Sequence, residues 1–144
     1  MSLGPLTYKT PNPITYIDSD LTNSEGCGLV LSAQYTVGLA TTESDIPYGV
    51  VVVGAASVDG TYTGVIAAGA LEVVDAFGAV AQVKASSAGS IAAGTTVYID
   101  ANDANGTFKS AAGAASGEWT WGLALTDCAA GEQFLFRFQP AIVP

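Results

Sequence analysis

Ile91-Ala-Ala-Gly-Thr-Thr-Val-Tyr-Ile-Asp100 echoes Ile66-Ala-Ala-Gly-Ala-Leu-Glu-Val-Val-Asp75 at a fixed offset of 25 residues, and Ala129-Ala130-Gly131 begins a third copy of the phrase. Each copy runs into apolar residues: Val73-Val74, Val97-Tyr98-Ile99 and Phe134-Leu135-Phe136. Glycine reaches left-handed backbone at no steric cost, while β-branched and aromatic side chains suit a pleated surface. The phrase therefore predicts a tight turn feeding a strand. The echo is compatible with an internal duplication, although two matched strands are too few for a repeat architecture.

Working outward, the same signals recur at roughly 8–12-residue spacing. Much of residues 28–40 alternates or is β-branched, which predicts one bent strand or two short ones, with Gly38 marking a bulge or a close approach. Residues 41–45 form a polar turn, and Val50-Val-Val-Val53 is too short for a helix and predicts a buried strand. Asp59-Gly60 signals a hairpin whose returning strand covers 61–66. Further strands are predicted at 71–74, 79–84, 95–99, 107–109, 119–125 and 133–138, the last ended by Pro140. Strict alternation places Trp119, Trp121, Leu123 and Leu125 on one face, and Phe134, Phe136 and Phe138 on another. Residues 110–117 form an Ala/Gly/Ser loop with room for one helical turn, and no segment carries an amphipathic helix of ten residues. The expectation is an all-β domain, a small antiparallel β-barrel or sandwich, over residues 21–144.

Residues 1–20 differ. Gly4, Pro5, Pro11 and Pro13 exclude a regular helix or a central strand, so an extended N-terminal arm is expected. Leu3, Pro5, Leu6, Tyr8, Pro11, Pro13, Ile14, Tyr16 and Ile17 are too apolar for a solvated tail. Two destinations stand open: the arm folds back on its own domain, or it lies on a neighbouring subunit or partner.

A chain of 144 residues has the length of one domain with one core. Thirteen acidic against four basic residues give a net charge of −9, which repels nucleic-acid phosphates and anionic lipid and favours basic protein surfaces. No nucleic acid and no membrane are expected as partners. The start of the chain has neither a basic n-region nor an apolar h-region, and no run approaches the ~20 apolar residues of a spanning helix. Folding in the cytoplasm is expected, with Cys27 and Cys128 as two thiols rather than a disulfide.

The chain contains no histidine, which removes Ser-His-Asp and Cys-His nucleophile systems and His-containing zinc sites. Gly26-Cys-Gly28 opens like a dinucleotide fingerprint, but position 31 is Leu and no helix follows. The turn Asp100-Ala-Asn-Asp-Ala-Asn-Gly106 offers clustered oxygens for calcium. In EF-hand register from Asp100, however, Ala104 takes the fifth position and Ala111 the twelfth, and Asx-turn chemistry explains the same residues. No catalytic set, cofactor or metal is expected. Trp119 and Trp121 are read first as core; the alternative is a sugar-stacking platform in a carbohydrate-binding module or head fibre.

Several of these stretches together resemble a known family. Residues 91–100, then Gly106-Thr-Phe108, then Trp121-Gly-Leu-Ala-Leu125, then Ala129-Ala-Gly-Glu-Gln-Phe134 and the closing Pro140 are similar to the C-terminal half of small capsid decoration proteins of tailed bacteriophages. Residues 29–60 resemble that family more loosely, and the arm is matched by no motif. The resemblance implies a β-rich cement protein on the outside of an assembled icosahedral head, bound to the major capsid protein and commonly a homotrimer. In that setting the arm residues would drape over a neighbouring subunit or the capsid.

Overall fold

The computed structural model describes residues 16–17, 21, 24–34, 36–51 and 73–144. The strand predicted at 61–66, the Asp59-Gly60 hairpin, and residues 52–53 and 71–72 of the strands predicted at 50–53 and 71–74 lie outside these residues. Ten strands are described: β1 Tyr16–Ile17, β2 Gly28–Ala33, β3 Thr36–Leu39, β4 Gly49–Val51, β5 Val73–Val74, β6 Val80–Lys84, β7 Thr96–Ile99, β8 Phe108–Ser110, β9 Trp119–Ala124 and β10 Gln133–Ile142. They form two five-stranded sheets. The first has the order β1-β3-β2-β4-β5 and the second β6-β10-β9-β7-β8. All pairings are antiparallel except β1 with β3. The fold is all-β, as expected. One 3₁₀ turn, Ala111–Gly113, follows β8, with Ser110 capping it.

In the first sheet, β4 is buried on both faces. On β4, Val50 joins the core shared with the second sheet, while Val51 joins Leu21, Leu29, Val37 and Val73 in a separate cluster. Burial on both faces accounts for a continuous apolar run where a half-exposed strand would alternate.

The second sheet has one wet face and one dry one. On β10, Phe134, Phe136 and Phe138 point in while Gln133, Leu135 and Arg137 point out; on β6, Ala81 and Val83 point in while Val80 and Gln82 point out. The sheet curls until Ala85, just past β6, makes a parallel bridge with Phe108 of β8. It wraps its aromatic contents without becoming a continuous barrel. Phe108 is the hub, 5.6 Å from the Trp121 ring and 5.4 Å from Phe136. Such ring pairs add about 0.5–1.5 kcal/mol each beyond the area they bury.

Two details depart from the alternation read in the sequence. In β9, Val97 faces Gly122 but Tyr98 faces Thr120, so Trp121 is an extra, bulged residue. Beyond it Gly122 and Ala124 turn inward opposite Phe138 and Phe136, and Leu123 moves to the outer face between Thr96 and Arg137. The four-residue face Trp119, Trp121, Leu123 and Leu125 therefore does not exist. The reason is space: a Cβ at Gly122 would stand 2.6 Å from Phe136 Cδ2, so only small residues fit beneath the Phe rings. In β10, Pro140 does not end the strand, which continues to Ile142. The register shifts between Phe138 and Ala141, and a bulge is where a residue without an N–H is tolerated. The irregularity in β2 and β3 falls between Leu31 and Ala33 rather than at Gly38.

The repeated phrase is a turn. Thr95 N donates to Ala92 O and Glu132 N to Ala129 O, with Gly94 (φ 88°) and Gly131 (φ 75°) at the third place, where positive φ is required. The residues preceding the two phrases, Ile91 and Cys128, exchange both backbone hydrogen bonds, so the two copies lie side by side. The first copy, at 67–69, lies outside the described residues. The underlying motif is Ala-x-Gly: Ala79 donates to Ala76, Thr107 to Ala104 and Glu118 to Ala115 in the same way.

The two sheets meet along Gly26-Cys27-Gly28. Lys84 N donates to Gly26 O and Gly28 N to Gly106 O, while Gly26 N and Val51 N bind the first sheet through Val51 O and Cys27 O. A Cβ at Gly28 would come within 2.8 Å of Trp121 Cζ3 and 2.9 Å of Ile99 Cδ1. Gly28→Ala is therefore expected to cost about 1–3 kcal/mol by overpacking. Gly89→Ala, where nothing lies within 4 Å of the added carbon, should stay within about 0.5 kcal/mol of the parent. Urea unfolding followed by tryptophan emission measures both; equal midpoints would remove the steric account of the seam.

Candidate functional site

The residues singled out from the sequence separate in space. Of the arm, Tyr16 and Ile17 form β1, which pairs in parallel with Thr36 and Val37 of the same chain and closes one edge of the first sheet. Leu3, Pro5, Leu6, Tyr8, Pro11, Pro13 and Ile14 lie outside the described residues.

Beside β2 is a groove of about 580 Å³, lined by Val30, Leu31, Ile46, Pro47 and Tyr48 with Ser44 and Asp45. Leu31 and Ile46 are more than half exposed. The groove's wall is set by the 41–45 turn. Asp45 Oδ2 accepts the backbone N–H of Thr41 at 2.7 Å and of Thr42 at 3.0 Å, and Oδ1 accepts the Thr42 hydroxyl at 3.0 Å. Partial burial would raise the Asp45 pKa, but these hydrogen bonds outweigh it and hold the carboxyl below its ordinary value. The groove thus carries a carboxylate that stays ionised.

The indole pair does not make a platform. Trp121 is fully buried against Phe108 and Gly28, whereas Trp119 is half-buried at the start of β9. The Trp121 Nε1 has no hydrogen-bond partner, a cost accepted for placing the largest ring of the chain at the centre of the core.

The acidic turn after β7 is internally satisfied. Asp100 is buried, accepts the Asn102 N–H at 3.0 Å and pairs with Lys109 at 3.4 Å. Asp103 accepts the Ser87 N–H at 3.0 Å, a close Ser87 hydroxyl and the Thr107 hydroxyl at 3.1 Å. Lys109 also reaches Glu43 at 3.3 Å and lies 5.0 Å from the Tyr98 ring centre, so one ammonium ties the 41–45 turn to β7 and β8. Trp119 N–H, donating to Glu43 O, adds a second tie. Nothing in the sequence pointed to Lys109, since its partners are 66 and 9 positions away. Among the described residues no three His, Cys, Asp or Glu side chains group as metal ligands.

Cys27 and Cys128 are free thiols. Burial pushes the Cys27 pKa from 9.0 up to about 11; Lys84 works against the shift and Glu25 adds to it. Glu25 is itself buried, and its Oε1 has no hydrogen-bond partner.

The arrangement offers three surfaces: the edge strand β1, an apolar groove with one ionised carboxylate, and a broad outer sheet face. No protein-family model matches the chain, and no curated protein is significantly similar to it.

The titrating groups set a pH window. Asp45, Asp100 and Asp103 all lie below their ordinary 3.8. For Asp100, hydrogen bonds from Asn102 and Ser86 and the charge of Lys109 overcome burial, and for Asp103 the Ser87 bonds dominate. Their stabilisation is present above 3.8 and is lost as pH falls through the lower folded values. Cys27 acts in the opposite sense: the unfolded thiol ionises above 9.0 while the folded one resists to about 11, so stability declines with rising pH across that interval. Lys109, whose pKa is raised above 10.5 by Glu43 and Asp100 against its desolvation, keeps its contribution until higher pH. Denaturant midpoints measured across pH should show a plateau with both flanks, and Cys27→Ala should reduce the fall that begins at 9.0 to the part left by Cys128, whose thiol burial also pushes up. An unchanged alkaline flank in that variant would assign it elsewhere.

Proposed function

We propose that this protein is a capsid decoration protein: it binds the outer surface of an assembled icosahedral phage head, as a trimer, and reinforces it without catalysis. The observation that carries the reading is where the family-like residues fall. Residues 91–100, 106–108, 121–125 and 129–134 supply β7, the start of β8, most of β9 and the turn into β10. These are adjacent strands of one sheet and its rim, so the resemblance covers a contiguous structural unit. The absence of histidine and the net charge of −9 agree with an outer layer that meets protein rather than DNA.

In this reading the major capsid protein is the partner, and the virion surface is the place of action after assembly in the host cytoplasm. The residues before β1, with Leu3, Leu6, Tyr8 and Ile14, supply the apolar contact by laying an extended segment along the shell or the neighbouring copy. Many identical sites then convert a weak contact into a durable one by avidity. The sugar-binding alternative loses its basis with Trp121 fully buried.

Purified protein mixed with undecorated shells of the cognate capsid protein should co-sediment with them and raise their disruption temperature; shells that remain bare would end this reading. Deleting residues 1–15 retains β1 and should abolish attachment while the β-sheet circular dichroism persists. Full binding by that truncation would exonerate the arm.

A further inference from the structure

We propose that copies of this chain bind one another head to tail, the outer face of β6 and β10 in one copy seating on the groove beside Ile46 in the next. Five of the six large apolar side chains most exposed among the described residues fall in two places. Val80 and Leu135 lie on the outer face of the second sheet, with Phe77 in the turn leading into β6, and Leu31 and Ile46 line the groove. Ile142 stands apart at the end of β10.

Charge separates the same two places. The chain has four basic residues against thirteen acidic ones. Of the described cations, Lys109 is consumed by Glu43 and Asp100. The other two, Lys84 and Arg137, make no ion pair among the described residues. Register puts both on the outer sheet face, Arg137 opposite Val80 and Lys84 opposite Gln133. The outward positions of β6 and β10 carry no acidic residue. The groove carries the ionised Asp45 and no cation. An apolar, cationic face and an apolar, anionic groove therefore complement each other in both hydrophobicity and sign. Either surface docked on itself would oppose like charges, so the contact pairs unlike surfaces; repeated from copy to copy it is heterologous, closing into a ring or extending as a chain.

The contact is argued from surface chemistry alone and requires no shell, so its failure and the failure of capsid binding are separate results. Light scattering of the full chain at up to about 100 μM, a range that detects micromolar contacts, should give a mass above the monomer that declines with added salt. Leu135→Asp damages the face and Ile46→Asp the groove; both positions are exposed, and circular dichroism should confirm that both variants fold. Each variant alone should be monomeric. Mixed in equal amounts they should form a one-to-one heterodimer, because the face of the Ile46→Asp copy and the groove of the Leu135→Asp copy are both intact. Arg137→Glu should weaken association about tenfold or more. A monomeric parent, variants that still self-associate, or a mixture that stays monomeric would each overturn the proposal.

Discussion

The structure depends on two backbones approaching too closely to admit side chains. At Gly28 the first sheet rests on Trp121 and Ile99, and Gly28 N, Gly106 O, Gly106 N, Ala40 O, Ala40 N and Gly28 O close a ring of three backbone hydrogen bonds between 2.8 and 3.0 Å. Two residues earlier, Gly26 O receives Lys84 N from β6. Backbone groups that would otherwise be buried edges are thereby paired across the sheets, which makes the seam polar at its centre and apolar on both flanks. Cys27, held between these contacts, is buried because the seam is, and its reluctance to ionise follows from the same burial.

With one sheet folded against the seam, the second must curl to cover the aromatic cluster by itself. Three Phe rings from β10 and Phe108 from β8 fill the hollow, and the strand facing them, β9, supplies Gly122 and Ala124 where ring edges need space. The bulge at Trp121 lets one indole enter the core while Leu123 is released outward. That release helps to make the outer face of the second sheet apolar, and with Arg137 and Lys84 on the same face it becomes unlike the rest of an acidic surface. The features relevant to binding are thus by-products of how the core was filled.

For a protein read as cement this division of labour is physically sensible. A hydrogen-bonded body holds its outer surfaces in fixed relation, and β1 is the outermost described strand of the first sheet. The ionised Asp45 sits on the 41–45 turn, and Lys109 of β8 reaches Glu43 of the same turn, so the groove wall is tied to the second sheet as well as the first.

By itself the sequence determined the class and the punctuation. Ala-x-Gly specifies the turn because only glycine takes positive φ cheaply, and alternation along 133–138 specifies which face of β10 is buried, because both are local consequences of backbone sterics. Residues 1–20 were readable as apolar and proline-broken, although pairing of Tyr16 and Ile17 with β3 was not, since it joins residues 20 positions apart. Only the tertiary structure decided the rest. Gly26-Cys-Gly28, meaningless as a nucleotide motif, is the seam; Leu123 and Pro140 depart from simple alternation because bulges arise from how strands register against Phe rings; and Lys109 finds Glu43 only once the sheets are closed. Close approach, register and charge pairing are relations between distant segments, and a linear pattern carries the residues for them without carrying the distances.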